Sequence, residues 1–193
     1  MMTTRIARGV LMGLGLAIST AGSAVAQVFT PSFLAPRSSS DIGVYLSDGP
    51  GAFALEGIWR RAAGSYDLGL RVGVADTDDA SLLVGGEIRN PISTGAPLDL
   101  AVSGTAQALL GDVSGAGFLV GLILGGTFGD SQLTFTPYIH PRAGLVEFVG
   151  DGFDLELVAD AGLDIRVGSD LEVRFGFAID DLPGDWGVGV AWR

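Results

Sequence analysis

Beyond residue 40 the chain alternates, with a bulky apolar residue at every second position and glycine, alanine or charge between. In YDLGLRVGVA (66–75), Tyr66, Leu68, Leu70, Val72 and Val74 share one face, and Asp67, Gly69, Arg71, Gly73 and Ala75 the other. FDLELVADAGLDIR (153–166) and LEVRFGFAI (171–179) repeat the scheme. A period of two belongs to the β-strand, whose successive side chains point to opposite faces. No comparable stretch has helical spacing. Breaks at Gly, Asp and Pro clusters predict about ten strands, near 41–47, 52–61, 66–75, 81–89, 98–108, 115–127, 131–148, 153–167, 169–180 and 185–193. Eight is the competing count, because the first strand carries the weakest pattern. Links such as DGPG (48–51), AAGS (62–65), DTDDA (76–80) and VGSD (167–170) are short enough to require hairpins. The expected fold class is therefore all-β, an antiparallel up-and-down barrel.

Alternation alone does not say which face is inside. A soluble, lipocalin-like barrel would turn Leu, Val and Phe inward. Composition favours the inverse: charged residues make up 17% of the chain, apolar ones 48%, and glycines number 31. The polar face is thus diluted with Gly and Ala, which makes a poor water-facing surface but suits a narrow lumen. Each apolar face runs for about ten residues, the length a tilted strand needs to cross a bilayer. A closed barrel also pairs every backbone group, as hydrocarbon requires. The reading is a transmembrane barrel over 41–193. GAGFLVGLILGG (115–126) is apolar on both faces, so Leu119 and Ile123 are expected to pack in the lumen.

The N-terminus is different. MMTTRIARGVLMGLGLAISTAGSAVAQ places Arg5 and Arg8 before an apolar stretch and closes on Ala24-Val25-Ala26. That is the pattern of a secretory signal peptide over 1–26, with the mature chain starting at Gln27. An uncleaved anchor is disfavoured, since a spanning helix needs ~20 apolar residues. Segment 27–40, with Pro31, Pro36 and three consecutive serines, reads as a flexible periplasmic lead-in. Every basic residue is an arginine, and 22 acids against the nine arginines after the signal leave the mature chain near −13. Such acidity argues against nucleic acid as a partner. With no cysteine, neither a disulfide nor a thiolate metal site can form. No cofactor or metal is expected.

By register the lumen receives the carboxylates Glu56, Asp67, Glu87, Asp99, Glu156, Asp160, Asp164 and Glu172. It also receives the guanidiniums Arg60, Arg71, Arg89, Arg142, Arg166 and Arg174, together with Tyr138 and His140. Eight acids against six bases predict a paired network, because an uncompensated charge in a narrow interior costs several kcal/mol. Glu156, Asp160 and Asp164 share a face, and Arg166 and Arg174 are expected to neutralise that carboxylate cluster. Inward glycines such as Gly69, Gly73, Gly85, Gly121, Gly162 and Gly176 should leave room for water. No serine motif accompanies His140, the sole histidine, so no Ser-His-acid catalysis is expected. If both termini share the periplasmic side, the outer links carry Asp48, Asp76, Asp78, Asp79, Asp112, Asp151, Asp181 and Asp185. Trp59, Tyr66 and Trp192 would then sit at the inner interface, and Phe53, Phe153 and Trp186 at the outer one.

The chain closes on DWGVGVAWR (185–193), with Trp186, Val188, Val190 and Trp192 on one face. This strand resembles the C-terminal assembly signal of bacterial outer-membrane β-barrels. FTPYIHPRAG (135–144) is similar to a Pro-Tyr strand common in that broad family, and GGEIRNPISTGAPLDLAVSG (85–104) resembles its hairpin across a Pro-containing turn. One departure is Arg193, which follows the closing aromatic. The resemblance implies location in the bacterial outer membrane. It also implies outer-membrane lipid, lipopolysaccharide and, during insertion, the barrel-assembly machinery as partners. The expected function is a small passive pore for ions or small solutes, with a narrow water-filled or salt-bridge-filled lumen; the alternative is a structural or surface-interaction barrel with a closed lumen.

Overall fold

The structure, a computed structural model, describes residues 29–77, 79–95, 98–111, 113–148, 150, 152–179 and 185–193. Its strands are β1 (Asp41–Ser47), β2 (Ala54–Ala63), β3 (Tyr66–Ala75), β4 (Ser81–Ile92), β5 (Asp99–Leu110) and β6 (Gly115–Gly125). They continue with β7 (Phe128–Gly129), β8 (Leu133–Phe148), β9 (Asp154–Val167), β10 (Leu171–Ala178) and β11 (Trp186–Trp192). Neighbours in sequence pair antiparallel, and the sheet closes through β6 on β8 and β1 on β11. Ten strands form the ring, and the two-residue β7 is an extra pairing on β8. The expected first strand is therefore real. Its Val44 sits opposite Gly57 of β2 on one side and Val190 of β11 on the other.

The alternation translates directly into facing. Leu155 and Leu157 are 73% and 79% exposed on the outer wall, whereas Arg60 and Arg174 are 2% exposed and His140 is 0%. Leu68, Leu70 and Val72 are exposed, and Val173, Phe175, Val188 and Val190 lie half-exposed on that wall. Leu119 and Ile123 are buried in the lumen as expected. Trp59 and Trp192 flank Ile42 at the end of the barrel where β1 starts and β11 finishes, here the near end. Trp186 opens β11 at the opposite, far end. All three tryptophans are exposed on the outer wall.

Segment 27–40 departs from the expectation of an outside lead-in. Gln27 and Val28 lie outside the described residues, but Phe29 to Ser39 form a strap inside the barrel. Phe29 packs among Ala54, Ala75, Leu83 and Leu109 towards the far end. Phe33 packs with Tyr45 and Ile58 in the middle, its ring centroid 4.7 Å from that of Tyr45. Leu34 and Ala35 join Ala101, Ile123 and Tyr138 towards the near end, where the chain turns into β1. The strap thus threads the lumen lengthwise, and Phe29 and Trp192 lie at opposite ends. The premise that both ends of the mature chain share one side does not hold for the described residues.

The physical reason is space and polarity together. Ten strands enclose more volume than their own inward side chains fill when many of those are glycine. The strap occupies the room expected to hold water. A Cβ at Gly176 would stand 2.8 Å from Cβ of Pro31, and one at Gly187 would meet the Phe33 ring. Phe33 itself has a φ of 48°, a left-handed conformation that costs an aromatic residue energy and persists only when its surroundings hold it.

Candidate functional site

The lumen holds the chain's concentrated chemistry. Towards the near end, Arg174 Nη2 lies 2.8 Å from Asp41 Oδ2 and 3.4 Å from Glu172, with its Nε 3.3 Å from Asp164. Arg60 stands 3.6 Å from Asp41 and also donates to Glu87. Both guanidiniums donate to the Tyr45 hydroxyl, at 3.1 Å from Arg60 and 2.7 Å from Arg174. Five strands contribute to this cluster by turning polar residues inward: Asp41 and Tyr45 on β1, Arg60 on β2, Glu87 on β4, Asp164 on β9, and Glu172 and Arg174 on β10. Removing such groups from water costs several kcal/mol per ion, and close pairing offsets that cost.

Three further pairs line the lumen. Arg71 forks onto Glu56, with Nε 3.1 Å from Oε2 and Nη2 2.9 Å from Oε1. Arg89 reaches Asp67 at 2.7 Å, and Arg142 reaches Asp160 at 2.7 Å. These arginines have donors to spare, and the strap supplies acceptors. Arg71 donates to Thr30 Oγ1 at 2.8 Å and to the Pro31 carbonyl at 3.0 Å. Arg89 donates to Ser39 Oγ at 2.9 Å and to the carbonyl of Ala35. At these two arginines the strap completes what the wall leaves open.

His140 is the tie between them. Its Nε2 is 2.6 Å from Ser103 Oγ on β5, and its Nδ1 is 2.9 Å from Ser32 Oγ on the strap. The Ser32 amide donates to Asp160 Oδ2 at 3.3 Å, and that oxygen lies 4.0 Å from His140 Nδ1. No local motif suggested a serine partner, because Ser103 and Ser32 are 37 and 108 residues from the histidine.

Of the expected lumen residues, Glu56, Asp67, Arg71, Glu87, Arg89, Tyr138, His140, Arg142, Glu156, Asp160, Asp164, Glu172 and Arg174 are buried there. Asp99 lies nearer the rim, 2.7 Å from Arg37. One pairing is corrected. Arg142, not Arg166, neutralises Asp160, and among the described residues no carboxylate stands within ion-pair distance of Arg166. Arg166 projects from β9 beside Glu172 of β10, near the barrel mouth, too far along the strand to reach Asp160. Asp41, Tyr45, Thr30, Ser32 and Ser103 were not expected. Register contained a signal for three of them, since DIGVYLS puts Asp41 and Tyr45 inward and AVSGTAQALL puts Ser103 inward. The strap has no period, so nothing marked Thr30 or Ser32.

Of the aspartates expected in the outer links, which correspond to the far end, Asp78, Asp112, Asp151 and Asp181 lie outside the described residues. Asp48 there accepts from the backbone amides of Asp185 and Trp186 at 3.1 and 3.0 Å. At the near end Asp130 accepts from the amides of Gln132 and Leu133, at 2.8 and 3.0 Å, which holds its carboxyl below the usual range. Both carboxylates therefore have turn-holding roles. On β11, Trp186, Val188, Val190 and Trp192 all face the outer wall, and Arg193 pairs with Glu172 at 3.1 Å. Comparisons with protein-family models, curated proteins and solved structures returned no match.

The glycine contacts yield a test of the strap. Gly176→Val should cost about 1–3 kcal/mol, the usual penalty for overpacking, and should loosen the segment above it. Denaturant titration would give the first value, and faster tryptic cleavage at Arg37 would report the second. Unchanged cleavage would mean the barrel wall moves instead of the strap.

Proposed function

We propose that this protein is an integral β-barrel of the bacterial outer membrane whose lumen is closed by its own N-terminal strap. It serves as a structural or surface-interaction barrel, not as an open pore. The observation that carries this reading is the inverted polarity of the wall: leucines at 73% and 79% exposure outside, arginines and a histidine at 2% or less inside. In water so large an apolar surface would drive association. In hydrocarbon it is the stable arrangement, because closure of the ladder leaves the sheet without a free edge. Exposed Trp59, Tyr66 and Trp192 near one end, and Phe53, Phe153 and Trp186 near the other, suit the two interfaces of a bilayer. With the end of β11 at the periplasm, as the resemblance of that strand to an assembly signal implies, the far end, with Asp48, Asp76, Asp79 and Asp185, would face the lipopolysaccharide leaflet. The terminal strand would be read by the barrel-assembly machinery.

The narrow-pore reading is the weaker one, since strap and ion pairs occupy the lumen at three heights. The Ser103–His140–Ser32 chain is read as a structural tie. The burial of His140 at 0% exposure and Ser103 at 4% supports that reading.

Refolding the mature chain into detergent and then into planar bilayers tests both parts. The expected result is a protein that needs detergent to stay monodisperse, inserts into vesicles and passes no discrete current. A protein monomeric in plain buffer would refute the membrane assignment, and steady single-channel steps would refute the closed lumen. A further check is Val173→Arg, which puts a charge on the outer wall. Near the bilayer midplane it should cost on the order of 2–4 kcal/mol, measured by reversible unfolding in lipid.

A further inference from the structure

At the near end, beside the strap, the lumen opens into a shallow recess whose enclosed space is about 10 Å³, room for one water. Five of its lining residues are arginines: Arg37, Arg89, Arg166, Arg174 and Arg193. Only two lining residues are carboxylates, Asp164 and Glu172. This is a local excess of positive charge in a chain whose net charge is −11.

The carboxylates are already committed. Glu172 is shared by Arg174 and Arg193, at 3.4 and 3.1 Å, and Asp164 lies against Arg174. Arg37 and Arg89 are held by Asp99 and Asp67, which do not line the recess. Arg166 is left over. It is half-buried, and its Nε, like those of Arg142 and Arg174, is shielded from solvent without a hydrogen-bond acceptor; unlike those two, it has no described carboxylate within ion-pair reach. A shielded donor on a cation is costly to leave unmatched, and the planar guanidinium fork matches two oxygens of one anion.

We propose that this recess is a binding site for a small oxyanion, a phosphate or carboxylate group, seated on Arg166 with Arg193 beside it. The enclosed space holds one water and is far below the ~300–1,000 Å³ of pockets that enclose a drug-sized ligand. The anion therefore docks at the open mouth, and the rest of any larger molecule stays outside. Access is from the solvent at the near end, so the ligand is a free solute and not the head group of a lipid in the surrounding bilayer. The site rests on the lumen geometry and does not depend on the barrel being silent to ions.

The test is titration calorimetry on the folded full-length barrel in a zwitterionic detergent. Inorganic phosphate and succinate are titrated separately, against sodium chloride at matched ionic strength. Saturable one-to-one binding of phosphate or succinate, not mimicked by chloride, is expected. Arg166→Gln should weaken it at least tenfold. Because Arg166 has no ionic partner to lose, that variant should keep the wild-type unfolding midpoint, and Arg37→Gln serves as a rim control with a smaller effect. No saturable heat in the wild type, equal competition by chloride, or undiminished binding by Arg166→Gln would each overturn the proposal. A second series in vesicles containing anionic lipid separates the sources: if lipid phosphate occupies the site, those vesicles will abolish the heat of added phosphate, and the free-solute assignment fails.

Discussion

Removing residues 29–40 should turn a barrel without measurable current into one that conducts in discrete steps. The strap fills the lumen from Phe29 at the far end to Ala35 near the other, and no wall side chain takes that volume. Ten strands lie between the eight that side chains just fill and the sixteen that leave a wide channel. A small conductance is therefore expected. It should favour cations, because the wall left behind carries nine acids, counting Asp41, against six lumenal arginines. The same deletion strips acceptors from Arg71 and Arg89, so some loss of stability comes with it. The Glu56–Arg71 and Asp67–Arg89 pairs remain, and the shortened chain should still show the shift in gel mobility between unheated and boiled samples. If the folded, shortened barrel stays silent in planar bilayers, the ion pairs alone seal the lumen and the strap is not its plug.

The largest stability effect should come from Arg174→Leu. That side chain lies within ion-pair distance of three carboxylates, Asp41, Asp164 and Glu172, and donates to Tyr45. Taking it away leaves buried negative charges facing one another, with only Arg60 near Asp41 and Arg193 near Glu172 to compensate. Breaking a buried pair by removing one partner typically costs 3–5 kcal/mol, and a hub of three should fall at the top of that range, about 5 kcal/mol. Denaturant unfolding in micelles gives the number. Arg37→Leu is the contrast: its side chain is 51% exposed, so loss of its pair with Asp99 should cost no more than ~1 kcal/mol. Equal effects at the two sites would mean the lumen is wetter than its burial implies.

These two experiments address different parts of the molecule. The deletion asks what fills the lumen, and the substitution asks what holds the wall around it. A barrel of this polarity needs both. Inward charge is tolerated only when paired, and the strap adds the hydroxyls and carbonyls that wall pairing leaves wanting. The strap is thus closer to a core than to an appendage.

Nearly all the facing was legible in the alternation, because strand geometry is local. In LEVRFGFAI, Glu172, Arg174 and Gly176 must point one way if Val173 and Phe175 point the other, whatever the rest of the chain does. Gly and Asp at the hairpins marked where each strand stops for the same local reason. Burial of Arg60, Arg71, Glu87 and Asp160 followed from that reading alone. Partner choice did not. Which carboxylate Arg142 meets depends on how neighbouring strands slide past one another, and Asp41 joins Arg174 only because the last two strands close on the first, 133 residues away. The strap was least legible of all. Its prolines and serines look like linker composition, and its contacts, such as Ser32 to Asp160 across 128 residues, exist only once the ring has closed around it. The sequence by itself determined the strands and the direction each side chain takes. Tertiary structure alone decided what those inward side chains would meet, because the width of the lumen is a property of ten strands together.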